Sequence, residues 1–359
     1  MTLGMDEMHY KPGWKRQSIV YGAFKGMGDL LSAASVIALQ LDCGHEVWLL
    51  CFPGKGLPQF VDLIDFGQSR SNLRLLMLPV AAGLGGLLRF FREASRIAPD
   101  LIWISPHAPR IASSWKIPLL LWATRNLYWP GAQLAGATTE RLSILFDRRV
   151  PVDRSLPLAD RERVAFSMIR CEEGKTEPRA ISFIDRVSNA AREPSEFDLL
   201  IHPGANARNR SWPSRNYAEV VASLPARYRI AVLGLPEDVA ALRQELPADR
   251  GIAYLTGSLE EAMTYLARSR VVLTMDSGNV HFAGVLGVRT VALFGKSDPA
   301  TILASDPKTY PIYQRRFPCQ PCERTTCNQS EVYCMNSILP ATVAEAVIHL
   351  LDSGANDRR

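Results

Sequence analysis

The sequence predicts an α/β protein made of two doubly wound halves, and three observations carry that prediction. Its 359 residues suffice for two domains, each with its own core. Residues 271–299 read as strand, turn, helix, strand. An apolar run fills 271–275, Asp276-Ser277-Gly278-Asn279 breaks it, a short apolar helix runs from Val280 to Leu286 and ends at Gly287, and a second strand spans Thr290 to Phe294. Residues 18–51 repeat the order: a strand from Ser18, a glycine-rich loop from Gly22 to Gly28, a helix opening at Asp29, and a strand from Val47 to Cys51.

Composition narrows the classes. Apolar residues make up 47% and charged residues 21%, as in a soluble globular protein. No run approaches the ~18 apolar residues of a membrane span. The polar opening lacks the apolar core of a secretion signal, so residues 1–17 are expected to be a loose tail and the protein cytoplasmic. A net charge of +5 permits attraction to anionic partners but does not mark a nucleic-acid binder, and none is expected. Seven cysteines, four of them clustered near the end, do not form the pattern of a secreted disulfide scaffold.

In the first half, Gly22-x-x-x-Gly26-x-Gly28 departs from the dinucleotide fingerprint, and Phe52-Pro53-Gly54 stands where an acidic residue would end the second strand; both features argue against an NAD site. Asp29 suits an N-cap, and equally a carboxylate held ionised at a helix N-terminus. Lys25 is a candidate for holding an anionic acceptor group, or a solvated lysine. Residues 83–98 read as an amphipathic helix with Leu84, Leu87, Leu88 and Phe91 as the buried stripe. Its other side carries Arg89, Arg92 and Arg96, a face that is either solvated or laid on an anionic membrane. The strand from Asp100 to Ser105 delivers His107 to a carboxyl end, where it is structural or lines an acceptor cleft. Residues 115–125 are the most apolar part of this half and read as a core helix, with a peripheral lipid contact as the alternative. The charged, proline-rich stretch 151–194 contains one helix and the domain junction, which sets domains at 18–180 and 181–338.

The second half opens with a strand from Asp198 to His202. The loop after it holds Asn206, Arg208, Asn209 and Arg210, and two guanidiniums there can grip a diphosphate or stay solvated. A helix from Tyr217, a strand ending at Leu233, the loop with Glu237 and Asp238, an edge strand, and a helix opening at Gly257-Ser258 follow. The 271–299 unit then sets Ser277 and Gly278 where a helix begins at a strand's carboxyl end. Free N–H groups and the helix dipole favour an anion there, and Gly278 lets a phosphate approach the backbone. Cys319, Cys322, Cys327 and Cys334 suit either one structural zinc or iron ion, or a reduced loop.

Three ordered segments resemble family-9 glycosyltransferases, the heptosyltransferase family of lipopolysaccharide synthesis. They are Gly28-Asp29 within residues 24–31, the stretch from His202 to Pro213, and Asp276-Ser-Gly-x-x-His281 followed by Val291-Ala-Leu-Phe-Gly-x-x-Asp-Pro299. The resemblance runs from about Ile19 to about Leu351. It implies the GT-B architecture, two Rossmann-like domains facing across a cleft, with a last helix in 339–359 crossing back to the first. It implies Asp29 as catalytic base, accepting a proton from the acceptor hydroxyl as the sugar's anomeric carbon inverts. Asn206, Arg208, Arg210, Ser277, Gly278 and His281 would meet the donor, Glu237 its ribose and Ser258 its base, while Asp276 orients the loop. Arg210 stands where the family usually has a lysine. No metal is needed for catalysis, because arginines and helix dipoles can stabilise the departing diphosphate. The implied donor is ADP-heptose, and the acceptor a lipopolysaccharide core or related glycan, with a peripheral inner-membrane contact. Alternatives are heptosyl transfer to an autotransporter-like protein, a nucleotide-sugar epimerase, and a non-catalytic binding protein on the same fold.

Overall fold

The structure, a computed structural model, describes residues 17–24, 26–53, 56–79, 83–106, 116–137, 143–169, 178–204, 207–303, 308–322, 324 and 326–353. The first half runs β1 (Ser18–Phe24), α1 (Met27–Asp42), β2 (Glu46–Cys51), α2 (Leu57–Leu63), β3 (Leu73–Met77), α3 (Gly83–Ala94), β4 (Leu101–Ile104), α4 (Lys116–Tyr128), β5 (Gln133–Ala137) and β6 (Arg148–Val150). These strands form one parallel sheet in the order β3-β2-β1-β4-β5-β6. Ile19, Val20 and Tyr21 are all fully buried, so both faces of β1 are covered, as continuous apolar runs demand in parallel sheets.

After α5 (Leu158–Ser167) and α6 (Asp185–Ala190) the second half runs β7 (Phe197–His202), α7 (Ser214–Ser223), β8 (Ile230–Leu233), α8 (Pro236–Glu245), β9 (Ala253–Leu255), α9 (Leu259–Ala267), β10 (Ser269–Met275), α10 (Gly278–Leu286), β11 (Arg289–Phe294), α11 (Pro299–Ile302), β12 (Thr309–Tyr313), α12 (Tyr333–Asn336) and α13 (Pro340–Ser353). Its parallel sheet has the order β12-β11-β10-β7-β8-β9. Counted from its own first strand, each sheet therefore has the 3-2-1-4-5-6 order of the doubly wound fold. These are the two Rossmann-like domains of the GT-B architecture.

The helices divide the first sheet's two faces. Phe90 and Ala94 of α3 and Ile117 and Leu121 of α4 cover one face, over Val20, Ile102 and Leu134. On the other, Leu30 and Ile37 of α1, Val61 of α2 and Ala165 of α5 share a cluster with Leu200, Met263 and Phe282 of the second half. Aromatic rings close that seam, with Phe60 and Phe282 centred 4.9 Å apart and Phe183 and Phe282 6.2 Å apart. Glu162 of α5 is fully buried beneath the first sheet. It accepts hydrogen bonds from Tyr21, from Trp103 Nε1 at 2.8 Å and from Ser105 Oγ at 2.7 Å; burial raises its pKa and these donors pull it back. The chain remains tied to the first half through Ile184, whose N–H donates to Leu63 O at 3.0 Å.

Three sequence expectations need correction. The buried stripe of α3 is centred on Phe90 and Ala94, leaving Leu84 and Leu88 exposed. The apolar arc of this helix is wide enough for either phase, and the bulky Phe90 ring wins the sheet face. α4 is not a core helix: it buries Ile117, Pro118, Leu121 and Thr124 but exposes Leu119, Trp122, Leu127 and Tyr128. The last helix does not return to the first half over its described residues. Val343, Val347 and Leu351 recur every four residues and pack with α7, β10 and β11.

Candidate active site

In each sheet the order reverses beside the first strand, between β1 and β4 and between β7 and β10, the place at the carboxyl ends where doubly wound sheets bind ligands. In the second half His202 and Thr274 are register partners at that point. The chain leaves β10 through Asp276 and Ser277 and starts α10 at Gly278. Ser277 is the N-cap in extended conformation, but its side chain makes no capping bond, and its Oγ lies 3.3 Å from Thr274 Oγ1. The first turn of α10 therefore gets no side-chain cap, and such a terminus favours an anion.

Asp276 is buried and held from several directions. Its N–H donates to Leu293 O at 3.0 Å, Ser297 Oγ donates to its Oδ2 at 2.6 Å, and Arg210 Nε lies 3.4 Å from the same oxygen. Arg210 Nη1 also donates to the Asp276 carbonyl at 3.0 Å, joining the arginine loop to the start of α10. His281 stands one turn into α10. Burial lowers its pKa, Asp276 opposes that shift and Arg210 adds to it, so the imidazole is neutral near pH 7.

Across the seam, α1 begins against α10. A Cβ on Gly28 would lie 2.9 Å from His281 Cδ2 and 3.7 Å from Gly278 Cα. Only a residue without a side chain lets the two helix starts meet this closely. Gly26 is the N-cap of α1 and Met27 its first residue, so Asp29 is not the cap: it is the third helical residue. Asp29 is half-buried, and a Cβ on Gly26 would come within 3.2 Å of its Oδ2, so the carboxylate lies over the helix entrance.

Other sequence candidates are placed less uniformly. Glu237 is exposed in the first turn of α8, whereas its neighbour Asp238 is half-buried. A Cβ on Gly204 would lie 2.8 Å from Asp238 Oδ2 and 3.2 Å from His202 Cε1, so Asp238 is the acid beside the β7 loop. Burial, and then the neighbouring Glu237, raise the Asp238 pKa. His202 Nδ1 is buried with no hydrogen-bond partner, and burial pushes the imidazole pKa down to about 4. Ser258 caps α9: its Oγ accepts from the Glu261 N–H at 3.2 Å, and its own N–H donates to Glu261 Oε2 at 2.8 Å. Lys25, His107 and Asn206 lie outside the described residues, as does the Arg208 side chain.

His202, Asp238 and Lys296 were not selected from the sequence. His202 ends β7, and Asp238 and Lys296 come shortly after the ends of β8 and β11; that position at a strand's carboxyl end is the signal that could have found them. Lys296 is buried; its Nζ donates to Arg324 O at 2.9 Å, and Asn209 Nδ2 donates to the same carbonyl at 2.9 Å. The cysteine-rich segment is thereby strapped to the arginine loop, and the Cys322 N–H donates to Lys296 O at 2.7 Å. Among the described residues that strap gathers no metal site. Cys319, Cys322, Cys327 and Cys334 are all free thiols, Cys319 exposed, and among the described residues no three His, Cys, Asp or Glu side chains come together to hold a metal. Cys334 is raised in pKa by burial first, and also by Cys319 and Cys327; a Cβ on Gly295 would lie 3.1 Å from its sulfur.

The sequence profile of glycosyltransferase family 9 (heptosyltransferase) matches residues 113–333. The chain belongs to this family. Its curated relatives in family 9 include lipopolysaccharide heptosyltransferase 2 of Salmonella typhimurium, 35% identical over 107 residues, which are 27% of this chain and 30% of that protein. The match thus spans under a third of that relative's length. The family-9 fold is shared over nearly the whole chain. A Veillonella parvula family-9 glycosyltransferase superimposes with a TM-score of 0.66 at 14% identity, covering 94% of this chain and 97% of that one. An E. coli heptosyltransferase bound to ADP-2-deoxy-2-fluoro heptose superimposes with a TM-score of 0.63 at 14% identity, covering 94% and 99%.

Proposed function

We propose that this protein is an inverting glycosyltransferase that moves heptose from ADP-heptose to a hydroxyl of a lipopolysaccharide core or related glycan. The observation that supports it most is the contact of Gly28 with His281 and Gly278, which brings the helix start bearing Asp29 to the uncapped start of α10. Two crevices that would otherwise serve separate sheets then share one edge, as transfer between two substrates needs. Family membership supports the reaction class. The ADP-heptose analogue bound by the E. coli relative supports the donor.

In this reading the diphosphate sits at the start of α10, within reach of Arg210, while His281, neutral, hydrogen-bonds a phosphate or sugar oxygen. Asp29 takes the proton of the acceptor hydroxyl. The acceptor oxygen bonds to the anomeric carbon from the face opposite the diphosphate, and the carbon–phosphate-oxygen bond breaks with its electron pair leaving on ADP. Arg210 and the helix N–H groups stabilise the charge that develops on the leaving group. Asp276 acts through Arg210 and Ser297, holding the loop in shape. Asp238, which stands with His202 beside Gly204, shares with Glu237 the role of reading the ribose.

Asp29→Asn tests this. Turnover with ADP-heptose should fall by about 10²–10⁴, the usual contribution of a general base. Calorimetric affinity for the donor should stay within about twofold, since the carboxylate meets the acceptor. Unchanged turnover would remove Asp29 from the mechanism. Failure to bind any of the ADP-, GDP-, UDP- and dTDP-sugars would remove the transferase reading itself.

A further inference from the structure

We propose that Lys296 is a positioning residue for the donor diphosphate, fixing Arg210 through a shared backbone carbonyl. Lys296 comes just after β11, and only 3% of its surface is exposed. Lysine is almost never this buried, because its ammonium must give up water, and a methionine of similar length would be easier to bury. A charge kept in such a place calls for a reason. Its Nζ donates to the Arg324 carbonyl at 2.9 Å, and Asn209 Nδ2 donates to the same oxygen at 2.9 Å.

These two bonds belong to a closed ring. Asn209 is joined along the chain to Arg210. Arg210 Nη1 donates to the Asp276 carbonyl at 3.0 Å, and its Nε lies 3.4 Å from Asp276 Oδ2. Ser297 Oγ donates to that same Oδ2 at 2.6 Å, and Ser297 is the chain neighbour of Lys296. The ring ties together the arginine loop, the turn after β10 and the loop after β11, and Lys296 closes it. The shared carbonyl comes from a strap laid along the β11 loop. Gln320 Nε2 donates to Gly295 O, the Cys322 N–H donates to Lys296 O at 2.7 Å, and Lys296 reaches on to Arg324. On the far side of that oxygen Asn209 is buried, and its Oδ1 has no partner among the described residues, so the bond from Nδ2 orients the amide. A guanidinium grips a phosphate only from a defined orientation, and the amide next to Arg210 helps to set it. Without the ammonium the ring opens at the strap, Asn209 loses its fixed acceptor, and Arg210 meets the diphosphate less well. The proposal rests on the reading that a diphosphate sits at the start of α10.

Calorimetry on the full chain tests it, with whichever of ADP, GDP, UDP and dTDP the parent binds most tightly. Lys296→Met should raise the Kd about tenfold, near the lower end of what a hydrogen bond to a charged group contributes. The unliganded variant should melt within about 4 °C of the parent, since methionine fills similar space and buries no charge. In an Arg210→Ala background, Lys296→Met should change the Kd by less than about twofold, because its action runs through Arg210. Should Lys296→Met fail to fold, Asn209→Ala carries the test, breaking the same link from the other side with a similar loss of affinity; parental affinity there overturns the proposal. A Lys296→Met protein that melts far lower yet binds like the parent would make the lysine a structural staple, and also overturns it. A tenfold loss that persists without Arg210 does so too, since the ammonium would then act on the phosphate directly. A parent that binds none of the four nucleotides would overturn the diphosphate reading itself, and this proposal with it.

Discussion

At the scale of the residue, the clearest consequence concerns His202. Its imidazole has a folded pKa of about 4 because burial disfavours the cation, against an ordinary value near 6.5. A base with a depressed folded pKa takes its proton more readily in the unfolded chain, so this term costs no stability above pH ~7 and removes stability as pH falls below ~6.5, down to about 4. At pH 5 the loss is about 2 kcal/mol relative to pH 7.5. Urea titrations should show that loss in the parent and a much flatter profile in His202→Gln. Parallel profiles would mean that the unpartnered Nδ1 finds water or the proton. The sequence put His202 inside a motif without marking it, because what distinguishes it is the burial of one nitrogen. Asp238 and Glu237 could not be told apart for a related reason: neighbours in sequence lie ~100° apart on a helix, and only the phase of α8 decides which faces Gly204.

At the scale of the element, the strands and helices marked in the sequence fall in the expected order, because buried parallel strands are short apolar runs and their loops carry Gly, Asp and Ser. By contrast, α2, β3, β5, β6 and β12 carry no such mark, and Glu237 and Asp238, expected in a loop, open α8. Which face of a helix is buried was harder. α3 offers two apolar phases and α4 is apolar nearly all round, so period alone could not choose. Ser258 shows how one residue can satisfy two readings. It was chosen as a neighbour of the nucleobase, and it closes a reciprocal capping box with Glu261 at the start of α9. Ser258→Ala should therefore lower stability by about 1 kcal/mol, with Ser258→Asp recovering most of it. Thermal unfolding measures that term, and donor affinity measures the other. If alanine weakens donor binding with no loss of stability, the hydroxyl serves the ligand rather than the helix.

At the scale of the whole molecule, the catalytic reading depends on the two halves meeting at Gly28. The sequence supplied the glycine and the family motif around it, but not the partner, since the contact joins residues some 250 positions apart and follows only from how the sheets are docked. A methyl group on Gly28 would sit 2.9 Å from His281 Cδ2, closer than real carbon contacts allow. Either the imidazole turns away or the halves part, and overpacking of this kind costs about 1–3 kcal/mol. Gly28→Ala should therefore destabilise the protein by that amount and reduce turnover at least tenfold, because a small misplacement between substrates is expensive in rate. A double-mutant cycle isolates the contact: in a His281→Ala background, where the ring is gone, Gly28→Ala should cost little stability. Turnover would stay low in the double variant, since His281 itself is proposed to hold the donor. Full additivity of the two stability losses would mean that the helix starts do not touch in solution, and Asp29 would then have no route to the sugar bound by the opposite half.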